Sequence, residues 1–182
     1  MHMLSALIKG AAREARSNEA REALSDIQSR VAALGAVQQL LYKDDLMQSV
    51  GSRDLFRPIC DAAFAMAEHE IDRTVAFDDV QIPVQVASSI ALVLNELLTN
   101  TLKYGRPAQG THQVSPTFVE EDGLGTITVA DNGPGFELES TIQRASGLGL
   151  VKGLISQLQG TLEIVSNDGA KCTVRFELKR NL

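Results

Sequence analysis

The stretch from Asn95 to Gly105 combines an apolar helical pattern with a polar stripe, and it constrains this chain more than any other segment. Read as a helix, it places Glu96, Asn100 and Lys103 at i, i+4 and i+7, so a carboxylate, an amide oxygen and an ammonium share one face. Apolar residues cover the other faces and can root the helix in a core. They are Ile90, Val93, Leu94, Leu97, Leu98 and Leu102. We therefore expect the polar stripe to be free to bind Mg²⁺ and phosphate.

A second segment begins as a strand pattern at residues 126–130 and runs directly into Asp131 and two glycines around a proline. A carboxylate at a strand end can accept a hydrogen bond from the exocyclic amine of adenine. Because Gly133 and Gly135 carry no side chain, a base can approach the main chain closely there. This segment therefore predicts an adenine site.

The third segment is Ser146–Lys152, in which Gly147, Leu148 and Gly149 stand just before a helix-like run. Unpaired backbone N–H groups and the helix dipole at such a start attract phosphate oxygens. Each of the three segments alone is typical of a turn, a loop or a solvated helix face. Together, in this order, they indicate a nucleotide pocket built without a P-loop.

The three segments resemble the N, G1 and G2 boxes of the Bergerat-fold (GHKL) ATPases, and more narrowly the catalytic domains of bacterial sensor histidine kinases. The run from Glu19 to Tyr42 is similar to the second dimerisation helix of the group that includes the HWE kinases, and the resemblance covers about residues 4–178. It implies an α+β protein with a helical hairpin at residues 1–45 and an ATP-binding catalytic domain at residues 46–182. The order of helices and strands favours a sandwich with a mixed sheet covered on one face by helices.

The resemblance also implies a role for each site residue. Asn100 would ligate Mg²⁺, Glu96 would polarise the attacking imidazole and Asp131 would accept from adenine, with ATP and Mg²⁺ as the cofactors. The remaining positions implied to bind the nucleotide are Lys103, Tyr104, Gly133, Gly135, Gly147, Leu148 and Gly149. The family usually has Gly-Thr-x-Phe where this chain has Gly169-Ala170-Lys171-Cys172. Losing that threonine hydroxyl is expected to weaken nucleotide affinity about threefold to tenfold.

The group's phosphoacceptor motif, His-Arg-x-Lys-Asn, does not occur around any of the three histidines, which are His2, His69 and His112. Leu4–Ile8 matches the helix that follows the motif, so the resemblance implies a phosphoacceptor upstream of residue 1. His2 is the weaker alternative, because Met3 replaces the arginine and a terminal His-Met pair is equally typical of a cloning remnant. We expect His69 on a surface helix and His112 in a loop. The isolated chain should then bind ATP without autophosphorylating.

Residues up to about Tyr42 predict a helical hairpin that turns at Ser17 and Asn18. Its second helix repeats every seven residues, a pattern typical of a bundle seam. The seam consists of Leu24, Val31 and Gln38 together with Ile27, Leu34 and Leu41. Two helices cannot bury such a seam alone, so we expect a homodimer through residues 4–42. The alternative is that the seam packs against the chain's own ATP-binding domain.

Lys43-Asp44-Asp45 and Gly51-Ser52 mark a junction, and beyond it local patterns predict a mixture of helices and strands. Helices are expected at residues 52–66, from 83 through the polar stripe, and at 148–158; strands at 71–77, 80–82, 115–121, 125–130, 161–166 and 171–178. Residues 137–145 would close over the nucleotide, and Arg144 in that segment can reach the γ-phosphate.

Composition excludes several classes of protein. A net charge of −6 over 182 residues argues against binding nucleic acid, which normally needs a basic surface. No apolar run approaches the roughly 18 residues of a membrane span, and no signal peptide is recognisable. Cys60 and Cys172 form neither a disulfide framework nor a metal spacing, so we expect small buried hydrophobes. The expectation is a cytoplasmic module with no membrane segment in this chain.

The leading hypothesis is the ATP-binding core of a sensor histidine kinase. It would transfer the γ-phosphoryl group to a histidine and then to an aspartate of a response-regulator receiver domain. One alternative is an anti-sigma-factor-type serine/threonine kinase, which shares the pocket but needs no heptad hairpin. Another is a histidine phosphotransferase or docking scaffold with a degenerate ATP site. Intact Asn100 and Asp131 count against the scaffold, whereas Ala170 and the absent motif favour it.

Overall fold

Helices and strands are mixed along the chain in the computed structural model, which describes residues 2–41, 48–67, 69–135 and 146–178. The helices are α1 (His2–Glu14), α2 (Asn18–Leu41), α3 (Ser52–Ala65), α4 (Val84–Tyr104) and α5 (Ser146–Gln157). The strands are β1 (Ser49–Gly51), β2 (Ile71–Arg73), β3 (Ala76–Phe77), β4 (Gln81–Pro83), β5 (His112–Glu121), β6 (Leu124–Asp131), β7 (Thr161–Ser166) and β8 (Ala170–Glu177). Within these ranges, no helix is both long and apolar enough to cross a membrane.

The main sheet has six strands and is mixed, as predicted. Strands β2 and β3 both pair with β5 in parallel, and the antiparallel order β5-β6-β8-β7 completes the sheet. A tight turn joins β5 to β6, where Asp122 and Gly123 have φ angles of 52° and 86°. Such positive φ values suit Gly and are tolerated by Asp. Because β6 and β8 are antiparallel, the end of β6 lies beside the start of β8, and the site described below is at that place.

The core lies between one face of the sheet and the helices. Val114 and Phe118 of β5 and Ile127 of β6 are each at most 1% exposed, and side chains at the intervening positions are more exposed. The ring of Phe56 on α3 meets Phe118 edge to face, with centroids 5.0 Å apart. Burying each such side chain contributes roughly 1.5–3 kcal/mol. The predicted α+β class with helices on a mixed sheet is confirmed.

The hairpin turn also follows the prediction, because the Ser17 hydroxyl accepts a hydrogen bond from the N–H of Ala20 at 3.1 Å and so caps α2. Helix α2 then packs on α3 and α4. Its buried stripe is Ser29, Ala33 and Val37 rather than the predicted heptad seam.

The seam residues of α2 are mostly half-buried, and Ile27 is 43% exposed. At 3.6 residues per turn, the seam lies about a third of a turn from the buried stripe. Leu41, at the end of the seam, also packs against the core. The hairpin therefore contacts the chain's own ATP-binding domain, as the alternative expectation held. The contact is made mainly by the buried stripe of α2 and not by the heptad seam.

Two details of the strands differ from the sequence prediction. Strand β1 was not predicted, because a three-residue strand that ends at Gly51 is too short to show alternation; it pairs with β4. The strand expected at residues 71–77 is split into β2 and β3. At the break, the N–H of Thr74 still donates to the carbonyl of Val114 at 3.1 Å, so the chain keeps following β5.

Both cysteines are buried free thiols, which confirms their expected role as small hydrophobes. Cys60 lies on α3 and Cys172 on β8. Burial raises the pKa of the Cys60 thiol to about 12 and that of the Cys172 thiol to about 11. Since the thiolate is the reactive species, these residues serve packing rather than chemistry.

Candidate nucleotide site

Asn100 lies in the C-terminal half of α4, half-buried, and its side-chain Nδ2 is buried with no hydrogen-bond partner among the described residues. Leaving a buried amide group unpaired costs about 1–3 kcal/mol, so an unpaired side chain of this kind needs an explanation. A ligand bound at Asn100 provides one. The unpaired Nδ2 is a donor that a phosphate oxygen would satisfy, and the amide oxygen of the same side chain is a group that suits Mg²⁺, so the residue fits the predicted position beside metal and phosphate.

Asp131 ends β6 and is held by the main chain of two other segments. Its Oδ1 accepts from the N–H of Gly133 at 3.0 Å and from the N–H of Ala170 at 3.1 Å. Its Oδ2 lies against Gly105, where an added Cβ would come within 2.5 Å of that oxygen. One carboxylate oxygen is thus fixed by the protein, and the prediction that the other accepts a hydrogen bond from adenine stays a prediction.

The glycines around Asp131 allow backbone to meet backbone. A Cβ on Gly133 would lie 2.3 Å from the carbonyl oxygen of Gly105, and one on Gly169 would lie 2.0 Å from the carbonyl oxygen of Asp131. Gly135 has a φ of 78°, and a Cβ there would lie 2.3 Å from the hydroxyl of Ser166. Gly133 and Gly135 were predicted to admit the base. In the structure they also bring the end of α4, the segment after β6 and the β7–β8 turn together.

Ala170 marks the position where the expected threonine is missing. It is buried at the start of β8, and its backbone N–H, rather than a hydroxyl, bonds to Asp131. The position of the carboxylate therefore does not depend on the side chain at residue 170. The expected threefold to tenfold loss of nucleotide affinity stays a prediction.

Helix α5 starts at Ser146, two residues earlier than predicted, so Gly147, Leu148 and Gly149 lie inside its first turn and not before it. The first four N–H groups of a helix have no partner within the helix, and the positive end of the dipole lies there. This backbone arrangement suits phosphate. The predicted closing segment at residues 137–145, with Arg144, lies outside the described residues.

The expectation that the whole polar stripe of α4 is free was wrong. Arg30 on α2 donates from Nε to Glu96 Oε1 and from Nη2 to Glu96 Oε2, both at 2.8 Å. Lys103 forms an ion pair with Asp26, also on α2. The hydrogen bond to Glu96 raises the pKa of the Arg30 guanidinium, although burial acts in the opposite direction.

Sequence reasoning missed Asp26 and Arg30 because α2 was assigned to a dimer bundle. The available signal was their spacing: residues four apart share one face of a helix. Lys103 and Tyr104 border a cleft of about 560 Å³ between α2, the end of α3 and α4, and their predicted place beside the phosphates and the base stays a prediction. Tyr104 is 51% exposed there.

The two remaining histidines do not lie where they were expected. His112 is the first residue of β5, only 2% exposed, and His69 lies between α3 and β2. Nε2 of His69 and Nδ1 of His112 are 2.8 Å apart, and the rings stack at 5.1 Å between centroids. Burial lowers the pKa of His112, and the His69 charge lowers it further, whereas Asp131 raises it and Arg106 lowers it.

We expect the lowered pKa of His112 to make the fold sensitive to mild acid. Its contribution to the free energy of unfolding is complete above the ordinary pKa of 6.5 and is lost as pH falls through the lowered folded-state pKa. Urea unfolding between pH 8 and 5 should therefore show a smaller pH slope for His112→Gln than for the parent. His2→Gln is the control and should keep the parental slope. Equal slopes for His112→Gln and the parent would contradict this prediction.

Two family models match the chain. Residues 1–67 match HisKA_2, described as histidine kinase. Residues 85–182, more than half of the chain, match HATPase_c, described as histidine kinase-, DNA gyrase B-, and HSP90-like ATPase. A sequence comparison with curated proteins gives no significant match.

Solved structures share the fold at low sequence identity. The histidine kinase domain of the Erythrobacter litoralis EL346 blue-light activated histidine kinase superposes with a TM-score of 0.79 at 19% identity, covering 97% of this chain and 93% of that one. A longer structure of the Erythrobacter litoralis EL346 blue-light activated histidine kinase superposes with a TM-score of 0.73 at 22% identity. The match covers 88% of this chain and 56% of that one. The Acinetobacter baumannii histidine kinase AdeS gives 0.60 at 14% identity, covering 96% and 95%.

These matches agree with the order of the parts in the structure. The HisKA_2 match includes α1 and α2, and the HATPase_c match includes α4, Asp131 and the start of α5. The chain therefore belongs to the family of histidine kinase-, DNA gyrase B- and HSP90-like ATPases, and it is the ATP-binding catalytic core of a sensor histidine kinase with the GHKL fold.

Proposed function

We propose that this core binds ATP with Mg²⁺ at Asn100 and transfers the γ-phosphoryl group to a histidine. An aspartate of a response-regulator receiver domain would then receive the group. The observation that carries the proposal is the buried, unpaired amide nitrogen of Asn100, a donor that a phosphate oxygen would satisfy, one helical turn from Glu96. Asp131 supports it from the other side of the site, because its Oδ1 is fixed by two N–H groups and its Oδ2 lies against a glycine.

Each group has a separate task in the proposed reaction. The Asp131 carboxylate accepts from the adenine amine, and the N–H groups of the first turn of α5 bind phosphate oxygens. Bound Mg²⁺ neutralises phosphate charge. Glu96 accepts the proton of the attacking imidazole. Positioning and electrostatics supply most of the rate in phosphoryl transfer, so a site that holds these groups rigidly is sufficient.

The structure bears on which histidine receives the group. His69 and His112 bond to each other, and His112 is 2% exposed, which makes both unsuitable as acceptors. We therefore propose that the acceptor is the histidine of the family's His-Arg-x-Lys-Asn motif. HisKA_2 matches from residue 1, which supports a histidine kinase over the serine/threonine alternative.

We also propose that the hairpin dimerises through residues 4–42. Apolar side chains of the hairpin remain exposed, including Leu7 at 64% and Ile27 at 43%. The seam and the stripe that packs on the catalytic body lie on different faces of α2, so both contacts can form at once. A cytoplasmic location, where receiver domains would be met, completes the proposal.

A titration with ATP tests the function. The parent chain should bind ATP more tightly with Mg²⁺ than with a chelator, whereas a scaffold with a degenerate site should show no binding even at millimolar nucleotide. Radiolabelled ATP should then label a supplied hairpin that carries His-Arg-x-Lys-Asn. Label that is lost in acid and kept in alkali indicates phosphohistidine. Label with the opposite stability would favour the serine/threonine alternative.

A further inference from the structure

Three side chains of α2 lie on one face of that helix, and each bonds to a polar residue of α4. The pairs are Asp26 with Lys103, Ser29 with Asn95, and Arg30 with Glu96. The partners are 66 to 77 residues apart in sequence, so this contact is tertiary. Helix α2 therefore contacts α4 at Glu96, the residue proposed to accept a proton, and at positions beside it.

The Arg30–Glu96 pair is the strongest of these contacts. Both carboxylate oxygens are bound at 2.8 Å, in the bidentate geometry that matches the planar guanidinium fork. The Glu96 side chain is 6% exposed and that of Arg30 is 25% exposed. Because this pair is shielded from water, few water molecules can reach Glu96 to donate hydrogen bonds in place of Arg30.

Ser29 and Asn95 add a third donor to the same carboxylate. The Ser29 hydroxyl donates to Asn95 Oδ1 at 2.7 Å, which turns the Asn95 amide nitrogen toward Glu96. That nitrogen lies 3.4 Å from Glu96 Oε1. Both oxygens of Glu96 are thus engaged while α2 is docked.

This engagement opposes the proposed task of Glu96. An oxygen that already accepts a charge-assisted hydrogen bond is a weaker proton acceptor, because binding the proton would break that bond. If Arg30 moved away from Glu96, the Glu96 carboxylate would again be able to accept a proton. The position of α2 would then set the availability of the carboxylate.

We propose that Arg30 is a positioning residue that restrains Glu96, so that proton transfer to Glu96 requires α2 to withdraw the guanidinium. The inference rests on the proposed function, since it assumes that Glu96 accepts a proton during phosphoryl transfer. It adds a residue of the hairpin to the control of the catalytic helix in the same chain.

Hydrolysis of ATP by the chain provides an assay without an acceptor histidine. The water oxygen bonds to the γ-phosphorus and the bond to the ADP oxygen breaks; the water proton passes to Glu96, and ADP and phosphate leave. Arg30→Gln should raise kcat about tenfold with KM for ATP unchanged within about twofold, as expected for a change confined to the chemical step. Arg30→Lys keeps the charge but loses the fork, and it should give a smaller increase. Arg21→Gln is the control: it alters an exposed arginine of α2 that bonds to Asn18 and should match the parent.

A second background separates the proposed role from a general loosening of the fold. In Glu96→Gln, the further change Arg30→Gln should give no increase in kcat, because the group through which Arg30 acts is absent. An increase that persists in that background would overturn the inference, and so would an unchanged or lower kcat in Arg30→Gln. If Arg30→Gln does not fold, the same outcomes are read from Arg30→Lys.

Nuclear magnetic resonance of the nucleotide-free chain gives a readout independent of turnover. The Nε–H signal of Arg30 should be protected from exchange in the parent and lost in Glu96→Gln. An unprotected signal in the parent would also overturn the inference. These outcomes can be told apart from failure of the proposed function. A parent that binds no ATP would overturn both the function and this inference. A parent that binds ATP normally, together with one of the contrary outcomes above, would overturn this inference alone.

Discussion

Replacing Asn100 with alanine is expected to lower the affinity for MgATP roughly 100-fold and to leave the fold unchanged. A hydrogen bond or ligand contact to a charged group contributes about 1.5–3 kcal/mol, and 1.4 kcal/mol is a factor of ten in affinity. In the nucleotide-free chain, the Asn100 amide nitrogen bonds to no described residue. Removing that nitrogen therefore breaks no hydrogen bond to a described residue. The effect should fall on binding and not on stability.

Isothermal titration with ATP in Mg²⁺ and in a chelator measures this effect. The parent should bind ATP much more tightly with Mg²⁺ than with the chelator. Asn100→Ala should have about the same ATP affinity in both conditions, because the affinity it loses is the metal-dependent part. Gln85→Ala is the matched control, since it shortens an exposed amide in the first turn of the same helix. Parental affinity in Asn100→Ala, or an equal loss without Mg²⁺, would exclude Asn100 as the metal ligand.

Elements whose evidence is local were predicted closely. Strand β7 was expected at residues 161–166 and is observed as Thr161–Ser166, and α4 was expected from residue 83 and begins at Val84. Each shows its pattern within its own segment, since Leu162, Glu163 and Ile164 of β7 alternate apolar and polar and α4 is apolar over most of its length. Strand β1 was missed because its pairing with β4 is tertiary and its own pattern is three residues long. Pairing partners, unlike periodicity, are not encoded within one short segment.

The same distinction applies to the site. Asp131 was predicted from its place at a strand end, yet one of the two N–H groups that fix it comes from Ala170, 39 residues later. The contact of Gly133 with Gly105 likewise joins two segments that the sequence shows only as separate motifs. Sequence spacing supplied the candidate residues of the site, and their roles stay predictions. It did not predict what holds them.

The covering of α4 by α2 was the largest error, and its cause is physical. Helical periodicity showed that Glu96 and Lys103 share a face, but it cannot show which other element covers that face. The partners Arg30 and Asp26 lie on a helix whose heptads favoured a bundle. A helix can present two faces to two partners, and the heptad pattern described only one of them.

Replacing Asp131 with asparagine is expected to cost at least about 100-fold in ATP affinity while the local structure survives. The N–H groups of Gly133 and Ala170 both point at Oδ1, so they will select the amide oxygen of the asparagine for that position. The amide nitrogen must then take the place of Oδ2. A donor there faces the adenine amine, also a donor, and sites built for one hydrogen-bond pattern reject the mismatched ligand by large factors.

The same reversal predicts a change of base preference, because guanine presents a carbonyl oxygen where adenine presents its amine. Asp131→Asn should therefore lose much less GTP affinity than ATP affinity, and competition titrations with both nucleotides measure that ratio. Asp131→Ala should also lose ATP but, unlike asparagine, should destabilise the fold by about 1–3 kcal/mol, since it leaves two N–H groups without their acceptor. Asp122→Asn, an exposed change in the β5–β6 turn, is the control. Full ATP affinity in Asp131→Asn would show that the carboxylate does not read the base, because the substitution keeps the size and shape of the side chain while it removes the charge and turns one acceptor into a donor.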